Sequence, residues 1–237
     1  MSRRRLLISG GGMVGAAALV MAALIAIQLL RSDDPGLAQE APAIGTTGAG
    51  APFAAAGVRH YVVDAAASSA KYVVREKLRN LPVSTNAVGE TSAISGDVYL
   101  TDTGPAPALA SRFRVDLRTL RSDESRRDSY IRDNTLQAGL FPSAEFTIES
   151  VTGYPAAYAE GTEFATTVVG AMTIHNVTKP LTWQVKARRQ GDTLTATADT
   201  DFKMTDFGIT PPDVVLAKAE DGVHLQVVLV ARLRAGA

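Results

Sequence analysis

The sequence contains no cysteine among its 237 residues. Disulfides, thiolate metal sites, iron–sulfur clusters and a cysteine nucleophile are therefore excluded, and the fold must be held by its own apolar core. An excess of charge is missing too, because 24 basic residues balance 24 acidic ones. No overall field draws the chain to nucleic acid or to an anionic surface, so we predict no nucleic-acid partner.

Common catalytic and metal-binding motifs are also absent. No G-x-S-x-G, P-loop or H-E-x-x-H pattern occurs, and His60, His175 and His224 show no metal-ligand spacing. Asp206-Phe207-Gly208 has the letters of a kinase magnesium motif without the Gly-rich and catalytic loops that accompany it. We interpret it as a bend at a strand end that Gly208 permits. We predict no catalytic residue, no metal site and no enzymatic activity.

Long apolar runs are confined to the N-terminus. Three arginines at positions 3–5 precede an uncharged, mainly apolar run over residues 6–30, which is long enough to cross a bilayer as a helix. Basic residues before such a run and acidic residues after it favour a single-pass anchor in the cytoplasmic (cell) membrane, with the bulk of the chain on the extracytoplasmic side. The alternative is a signal cleaved before Gln39, which would export the chain to the periplasm or the cell exterior.

The chain divides into three parts on this interpretation. Residues 1–38 form the membrane anchor or signal, and residues 39–57, rich in Ala, Gly and Pro, form a flexible linker. Residues 58–237 form one domain.

Alternation with a period of two residues recurs throughout that domain, and the apolar side chains share one face of each segment. The clearest segments occupy residues 69–76, 96–102, 112–117, 144–150, 180–189, 193–203 and 224–234. Glycine signals for the turns between them include Gly89, Gly153 and Asp221-Gly222. Strands with one polar face and no helices alternating between them predict an all-β antiparallel barrel or sandwich. A barrel of about eight strands would leave no edge exposed.

Two segments interrupt the alternation. One, between residues 122 and 142, predicts a helix of two to three turns with Ser122 as its N-cap. Its sparse apolar stripe consists of Tyr130, Ile131, Leu136 and Leu140. The other is a polar turn over residues 176–179, between two alternating runs.

From about residue 58 onward the chain resembles the YceI-like family of polyisoprenoid-binding, lipocalin-like bacterial proteins. Four segments carry the resemblance in the family's order: VVDAAASSAKYVV, LRTLRSDESRRDSYIRDNTLQAGLFPSAEFTIESV, VVGAMTIHNVTKPLTWQV and FKMTDFGI. The family hairpin usually has Gly where this chain has Asn176, which also tolerates positive φ. A histidine often follows the first long strand in relatives, whereas this chain has Arg75-Glu76-Lys77.

The resemblance implies an antiparallel lipocalin-like β-barrel with one short helix, enclosing a long apolar chain. Family members bind polyprenyl lipids, isoprenoid quinones or fatty-acid derivatives, and such a lipid is the only bound group we expect. The side chains predicted to line the pocket are Tyr72, Val74, Leu100, Phe113, Val115, Phe146, Ile148, Met172, Ile174, Trp183, Phe202 and Phe207.

The expected function is that of an extracytoplasmic protein that sequesters or carries a long-chain isoprenoid-type lipid. A pocket and a core use the same residue types, so a structural or interaction barrel filled by its own side chains is the alternative. An enzyme that uses the barrel as an apolar reaction chamber is a third interpretation, and it requires a buried His–carboxylate or Ser–His pair inside.

Overall fold

The computed structural model describes residues 42, 57–79, 84–106, 108–215 and 217–234. Its strands are β1 (Arg59–Val63), β2 (Ser69–Leu78), β3 (Ser84–Thr91), β4 (Ile94–Thr101), β5 (Gly104–Pro105), β6 (Arg112–Asp116), β7 (Ser143–Thr152), β8 (Glu163–Ile174), β9 (Val177–Gln190), β10 (Thr193–Lys203) and β11 (Ala217–Leu233). Helix α1 (Ser125–Tyr130) continues as a π-helical turn, Ile131–Thr135. Single 3₁₀ turns cover Ala65–Ala67, Leu117–Thr119 and Met204–Phe207.

The strands close on themselves as an antiparallel barrel. Tyr61 in β1 lies opposite Val98 in β4 on one side and Leu233 in β11 on the other. From β4 the pairing passes through β6, β7, β8, β9 and β10 to β11, so the closed path has eight strands. Closure leaves no unpaired edge along this path. The predicted all-β antiparallel barrel with one short helix is confirmed.

Strands β2 and β3 extend the barrel wall beyond β1 and β4. β2 pairs with β11 on one side and with β3 on the other. The 3₁₀ turn between β1 and β2 is capped by Asp64, whose carboxylate accepts a hydrogen bond from the Ala66 N–H at 3.2 Å. β1 and β2 therefore act as one broken strand along β11.

The barrel has two distinct ends. The helix end carries α1, the turn between β8 and β9, and the 3₁₀ turn Met204–Phe207. The seam end is the opposite one, where β1 begins at Arg59 and β11 finishes at Leu233. Inward side chains form two apolar clusters, one around Phe146, Met172 and Trp183 and one nearer the seam end around Tyr61, Leu194 and Ala231.

Two glycine signals that predict turns fall within strands instead. Gly89 lies in the middle of β3 directly opposite Tyr72, and Gly222 lies in β11 next to a bulge between Ala219 and Val223. A Cβ on Gly89 would stand 2.3 Å from Cε1 of Tyr72. Gly89 therefore leaves room for the tyrosine ring to lie across β3. Because the reason for this glycine is a residue on another strand, the local sequence does not predict β3.

The turn between β8 and β9 is shorter than the predicted turn over residues 176–179. His175 and Asn176 alone form it, with φ of 55° and 59°. Two left-handed residues match the hairpin turn whose twist suits antiparallel strands, so the expected tolerance of Asn176 is confirmed. Pro180 lies within β9, where pairing with β10 begins only at Gln184. Its missing N–H therefore breaks no ladder with β10.

The helical segment starts later than predicted. The N-cap is Glu124, whose carboxylate accepts from the Arg126 N–H at 3.1 Å, whereas Ser122 donates its hydroxyl to Asp128 at 2.6 Å. The predicted stripe is only half correct, because Leu140 is 75% exposed and Tyr130 is 38% exposed.

The predicted anchor or signal over residues 1–38 lies outside the described residues. So does the linker over 39–57, except for Pro42 and Gly57. The Pro42 carbonyl accepts a hydrogen bond from the Thr195 hydroxyl at 3.1 Å. Within the described ranges, no helix combines the length and the apolar character needed to cross a bilayer.

Candidate functional site

The barrel encloses an apolar cavity of about 300 Å³. Phe164 and Ile174, near opposite ends of β8, both line it. The ten residue steps between them correspond to ~33 Å along β8. Because barrel strands tilt by 35–45° from the barrel axis, this is ~25 Å along that axis. The volume lies at the lower end of the range for small-molecule pockets and far exceeds the space needed by a few waters. The cavity therefore argues against the alternative of a structural barrel filled by its own side chains.

Eleven of the twelve side chains predicted for the pocket lie around this cavity: Tyr72, Val74, Leu100, Phe113, Val115, Phe146, Ile148, Met172, Ile174, Trp183 and Phe202. Phe207 does not line it. That residue is fully buried and packs edge-to-face on Phe202, with ring centroids 5.1 Å apart. Phe207 therefore packs behind Phe202 and does not reach the cavity itself.

Part of the cavity wall comes from residues that the alternating pattern does not predict. Ala87 comes from the unpredicted β3, and Ile131 and Leu136 come from the helical segment. The start of β8 was missed because Thr166 places a polar side chain on the inward face. Its hydroxyl donates to the Thr152 carbonyl at 2.7 Å, so the polar group is satisfied by backbone. The alternation of Phe164, Thr166 and Val168 was the available signal.

A close backbone approach orients the aromatic side chains of the cavity. Phe146 packs edge-to-face on Trp183, with centroids 5.7 Å apart. A Cβ on Gly170 would lie 2.7 Å from Cζ of Phe146 and 2.2 Å from the Thr147 carbonyl oxygen. Only glycine leaves room for the ring to lie across β8. Trp183 is 5% exposed, and its indole N–H has no hydrogen-bond partner within the described part of the chain.

Polar side chains reach the cavity wall at the helix end. Tyr72 and Glu76 share the inward face of β2 with Val74, and all three line the cavity. Burial raises the pKa of the Glu76 carboxyl, Arg127 lowers it in part, and Asp123 adds to the rise. Burial also raises the pKa of Tyr72 to about 12. The distance from Arg127 Nε to the Glu76 carboxylate is 3.9 Å.

At the seam end, two buried polar side chains, Arg189 and Tyr61, lie on the inward face beyond the end of the cavity, because their cross-strand partners Leu194 and Val98 line it. Arg189 is 5% exposed, with its Nε 3.3 Å from the Glu160 carboxylate and its guanidinium 4.9 Å from the centre of the Tyr158 ring. Tyr61 is fully buried, and burial raises its pKa to about 12. At the same end, Tyr154 packs edge-to-face on Phe164 with ring centroids 5.2 Å apart, and both rings line the cavity.

The histidines lie away from the cavity. His60 Nε2 is 2.6 Å from Asp97, and His224 Nδ1 is 3.0 Å from Asp201. Their strand neighbours Val98 and Val223 face inward, so alternation places both pairs on the outer face. In the part of the chain that the structure describes, no group of three or more metal-ligating side chains comes together. Gly208 has a φ of 68°, which confirms the predicted bend.

The fold and the cavity define a lipocalin-like barrel with an enclosed apolar interior. The sequence model of the YceI-like domain family matches residues 61–231 of this chain, and the chain belongs to this family. Among curated proteins, none matches the chain.

Solved structures share the fold at low sequence identity. A polyisoprenoid binding domain from Saccharophagus degradans, implicated in plant cell wall breakdown, is 16% identical with a TM-score of 0.56, over 73% of this chain and 98% of that one. BcnA from Burkholderia cenocepacia is 21% identical with a TM-score of 0.54, over 71% and 98%. The YceI protein of Campylobacter jejuni is 16% identical with a TM-score of 0.51, over 67% and 91%.

Proposed function

We propose that the chain is an extracytoplasmic lipid-binding protein that holds the tail of a long-chain isoprenoid-type lipid inside the barrel. The observation that carries this proposal is the elongated cavity, whose wall is apolar along its length. The Saccharophagus degradans domain of the same fold, described as polyisoprenoid binding, supports the isoprenoid class. A polyprenyl lipid or an isoprenoid quinone would meet these requirements. We propose no catalytic role.

Burial of the tail supplies enough free energy without a charged anchor. Each CH₂ group removed from water contributes about 0.8 kcal/mol, so a tail of about twenty carbons offers roughly 16 kcal/mol before costs. Lost ligand freedom takes back a large share of that sum.

The proposed location rests on the sequence of residues 1–38. We propose that the run over residues 6–30 tethers the protein to the cytoplasmic membrane, or directs its export before cleavage, so that the barrel works close to its lipid source. Protease protection of a C-terminal tag in intact cells, compared with opened cells, tests the side of the membrane.

Native mass spectrometry of the full-length protein, followed by organic extraction, tests lipid binding. We expect a lipid-sized mass increment and uptake of added prenyl lipids or quinones. Ala198 lines the cavity between Val185 and Val227, so Ala198→Phe places a ring in the cavity and should abolish uptake. Ala165→Phe is the matched control, because Ala165 is exposed on the outer face of β8.

Both variants must keep the wild-type circular dichroism for the comparison to hold. Repeated recovery of an empty barrel that takes up neither prenyl lipids nor quinones would contradict the proposal. Equal uptake by the two variants would show that the lipid binds outside the cavity.

A further inference from the structure

Glu76 is an unusual member of the cavity wall. Apart from Lys71, it is the only charged residue among the described residues that line the cavity. Lys71 lies between the inward-facing residues Ala70 and Tyr72 of β2, so its side chain points to the outer face. Glu76 lies on the inward face near the helix end, and its side chain is 16% exposed. A carboxylate that is this buried normally has hydrogen-bond donors around it.

Within the described residues, no donor is hydrogen-bonded to the Glu76 carboxylate. Its neighbours across the sheet are Thr85 in β3 and Ala219 in β11, and neither is charged. The nearest cation is Arg127, at 3.9 Å, a distance too long for a hydrogen bond. Glu76 therefore keeps acceptor capacity at the point where the apolar cavity meets polar side chains.

Arg127 is only partly available to balance Glu76. Its Nη1 lies 2.6 Å from the Asp123 carboxylate, so the same guanidinium serves two acidic groups. Asp128, on the same helix, is buried and accepts from the N–H and the hydroxyl of Ser122. Of the other cations of this helical segment, Arg126 is exposed and Arg132 donates to the Leu120 carbonyl at 2.8 Å. Among the described residues, Arg127 is the cation that acts on Glu76, and Asp123 competes for it.

We propose that Glu76 accepts a hydrogen bond from the head group of the bound lipid, and that the helix end selects an uncharged hydroxyl head over a phosphate. This inference rests on the proposed function and adds the chemistry of the head group. An alcohol or a hydroquinone donates its O–H to the carboxylate, which gives a strong charge-assisted bond. A phosphate head brings up to two negative charges beside Glu76 and Asp123, and like charges at short range repel.

The test compares geranylgeraniol with geranylgeranyl monophosphate on the full-length protein. The chain has a single tryptophan, and Trp183 lines the cavity, so its fluorescence reports occupancy of this site alone. We expect the alcohol to bind about tenfold more tightly than the phosphate, the difference that a charge-assisted hydrogen bond commonly makes.

Glu76→Gln removes the charge and keeps the size of the side chain. This variant should weaken alcohol binding by about fivefold and strengthen phosphate binding, so that the preference largely disappears. Glu145→Gln makes the same charge change next to Arg114 on the outer face of the wall, and should leave the preference unchanged.

Two results would overturn the inference while leaving the proposed function intact. One is a wild-type protein that binds the phosphate as tightly as the alcohol. The other is an equal change of preference in the Glu76 and Glu145 variants. If neither probe binds, the proposed function fails and this inference fails with it.

Discussion

At the seam end of the barrel, Arg189 lies on the inward face beyond the cavity, with Glu160 at 3.3 Å and the ring of Tyr158 over its guanidinium. At the helix end, Glu76 lines the cavity itself, and Arg127 stays 3.9 Å away. Both are charged side chains in the same barrel, yet Arg189 is covered by an aromatic ring and Glu76 faces the apolar cavity. The charged group at the seam end is therefore covered, whereas the helix end leaves a carboxylate on the cavity wall; we call these two ends the floor and the mouth of the cavity. Four predictions test that comparison, from the largest expected effect to the smallest.

Tyr61 forms the buried part of the floor. Tyr61→Ala should lower the free energy of unfolding by about 3–5 kcal/mol, because it leaves a cavity where a large side chain is fully buried. Tyr61→Phe should change it by less than about 1 kcal/mol, since the hydroxyl has no partner to lose within the described residues. Urea unfolding of both variants measures the difference. A large loss of unfolding free energy in Tyr61→Phe would show that the floor depends on a hydrogen bond from that hydroxyl.

Asp128 holds the start of the helical segment at the mouth. Asp128→Ala should cost about 1.5–3 kcal/mol, because it removes two short hydrogen bonds from Ser122. Hydrogen exchange should become faster over residues 122–136 while β8 and β9 keep their protection. Equal loss of protection in the strands would show that the helix and the barrel unfold as one unit.

Gly89 and Tyr72 shape the wall beside Glu76. Gly89→Ala should cost about 1–3 kcal/mol, since the new Cβ meets the tyrosine ring. In a Tyr72→Ala background the same change should be neutral or stabilising by about 0.5–1 kcal/mol, because alanine suits a strand better than glycine does. A double-mutant cycle by thermal or urea unfolding gives the coupling. No coupling would mean that the ring and the glycine do not determine each other.

Glu76 should give the smallest effect and a pH dependence. Its pKa is raised in the folded protein, so the charged form destabilises the fold, and the penalty develops as the pH rises through that pKa. Glu76→Gln should therefore stabilise the protein at pH 7, by less than about 1 kcal/mol given the opposing Arg127. The gain should vanish below the ordinary glutamate pKa of about 4.3. Melting temperatures of both proteins at pH 3.5 and pH 7 test this, and a loss of stability at pH 7 would contradict it.

The sequence predicts the barrel wall well where contacts repeat along one strand. Trp183 and Phe146 lie on faces that alternation alone identifies, and both line the cavity. The prediction from sequence fails where the residue that explains a feature is distant in the chain. Gly89 reads locally as a turn, and only the ring of Tyr72 across the sheet explains why it lies within β3.

The features of the mouth were equally invisible in the sequence. Glu76 stands in a run of three charged residues, which locally indicates a solvated strand end. Its burial comes from the helical segment, which contributes Arg127 and Asp123 from about fifty residues further along. Ser122 has the chemistry of an N-cap, but its hydroxyl accepts from the Glu124 N–H ahead of the helix and donates to Asp128, while Glu124 caps α1.

The pairing of β1 and β2 with β11 has a consequence for how the chain reaches this fold. The first strands of the barrel find their second neighbour only in the segment Ala217–Leu233, more than 130 residues later. Contacts this distant slow folding, because loop-closure entropy is spent before they form. During synthesis or export, an incomplete barrel would present bare strand edges on β10 and on β1 and β2 until β11 emerges. We therefore expect a sheltering chaperone to matter most in that interval, and truncation within β11 to give aggregation instead of a smaller stable barrel.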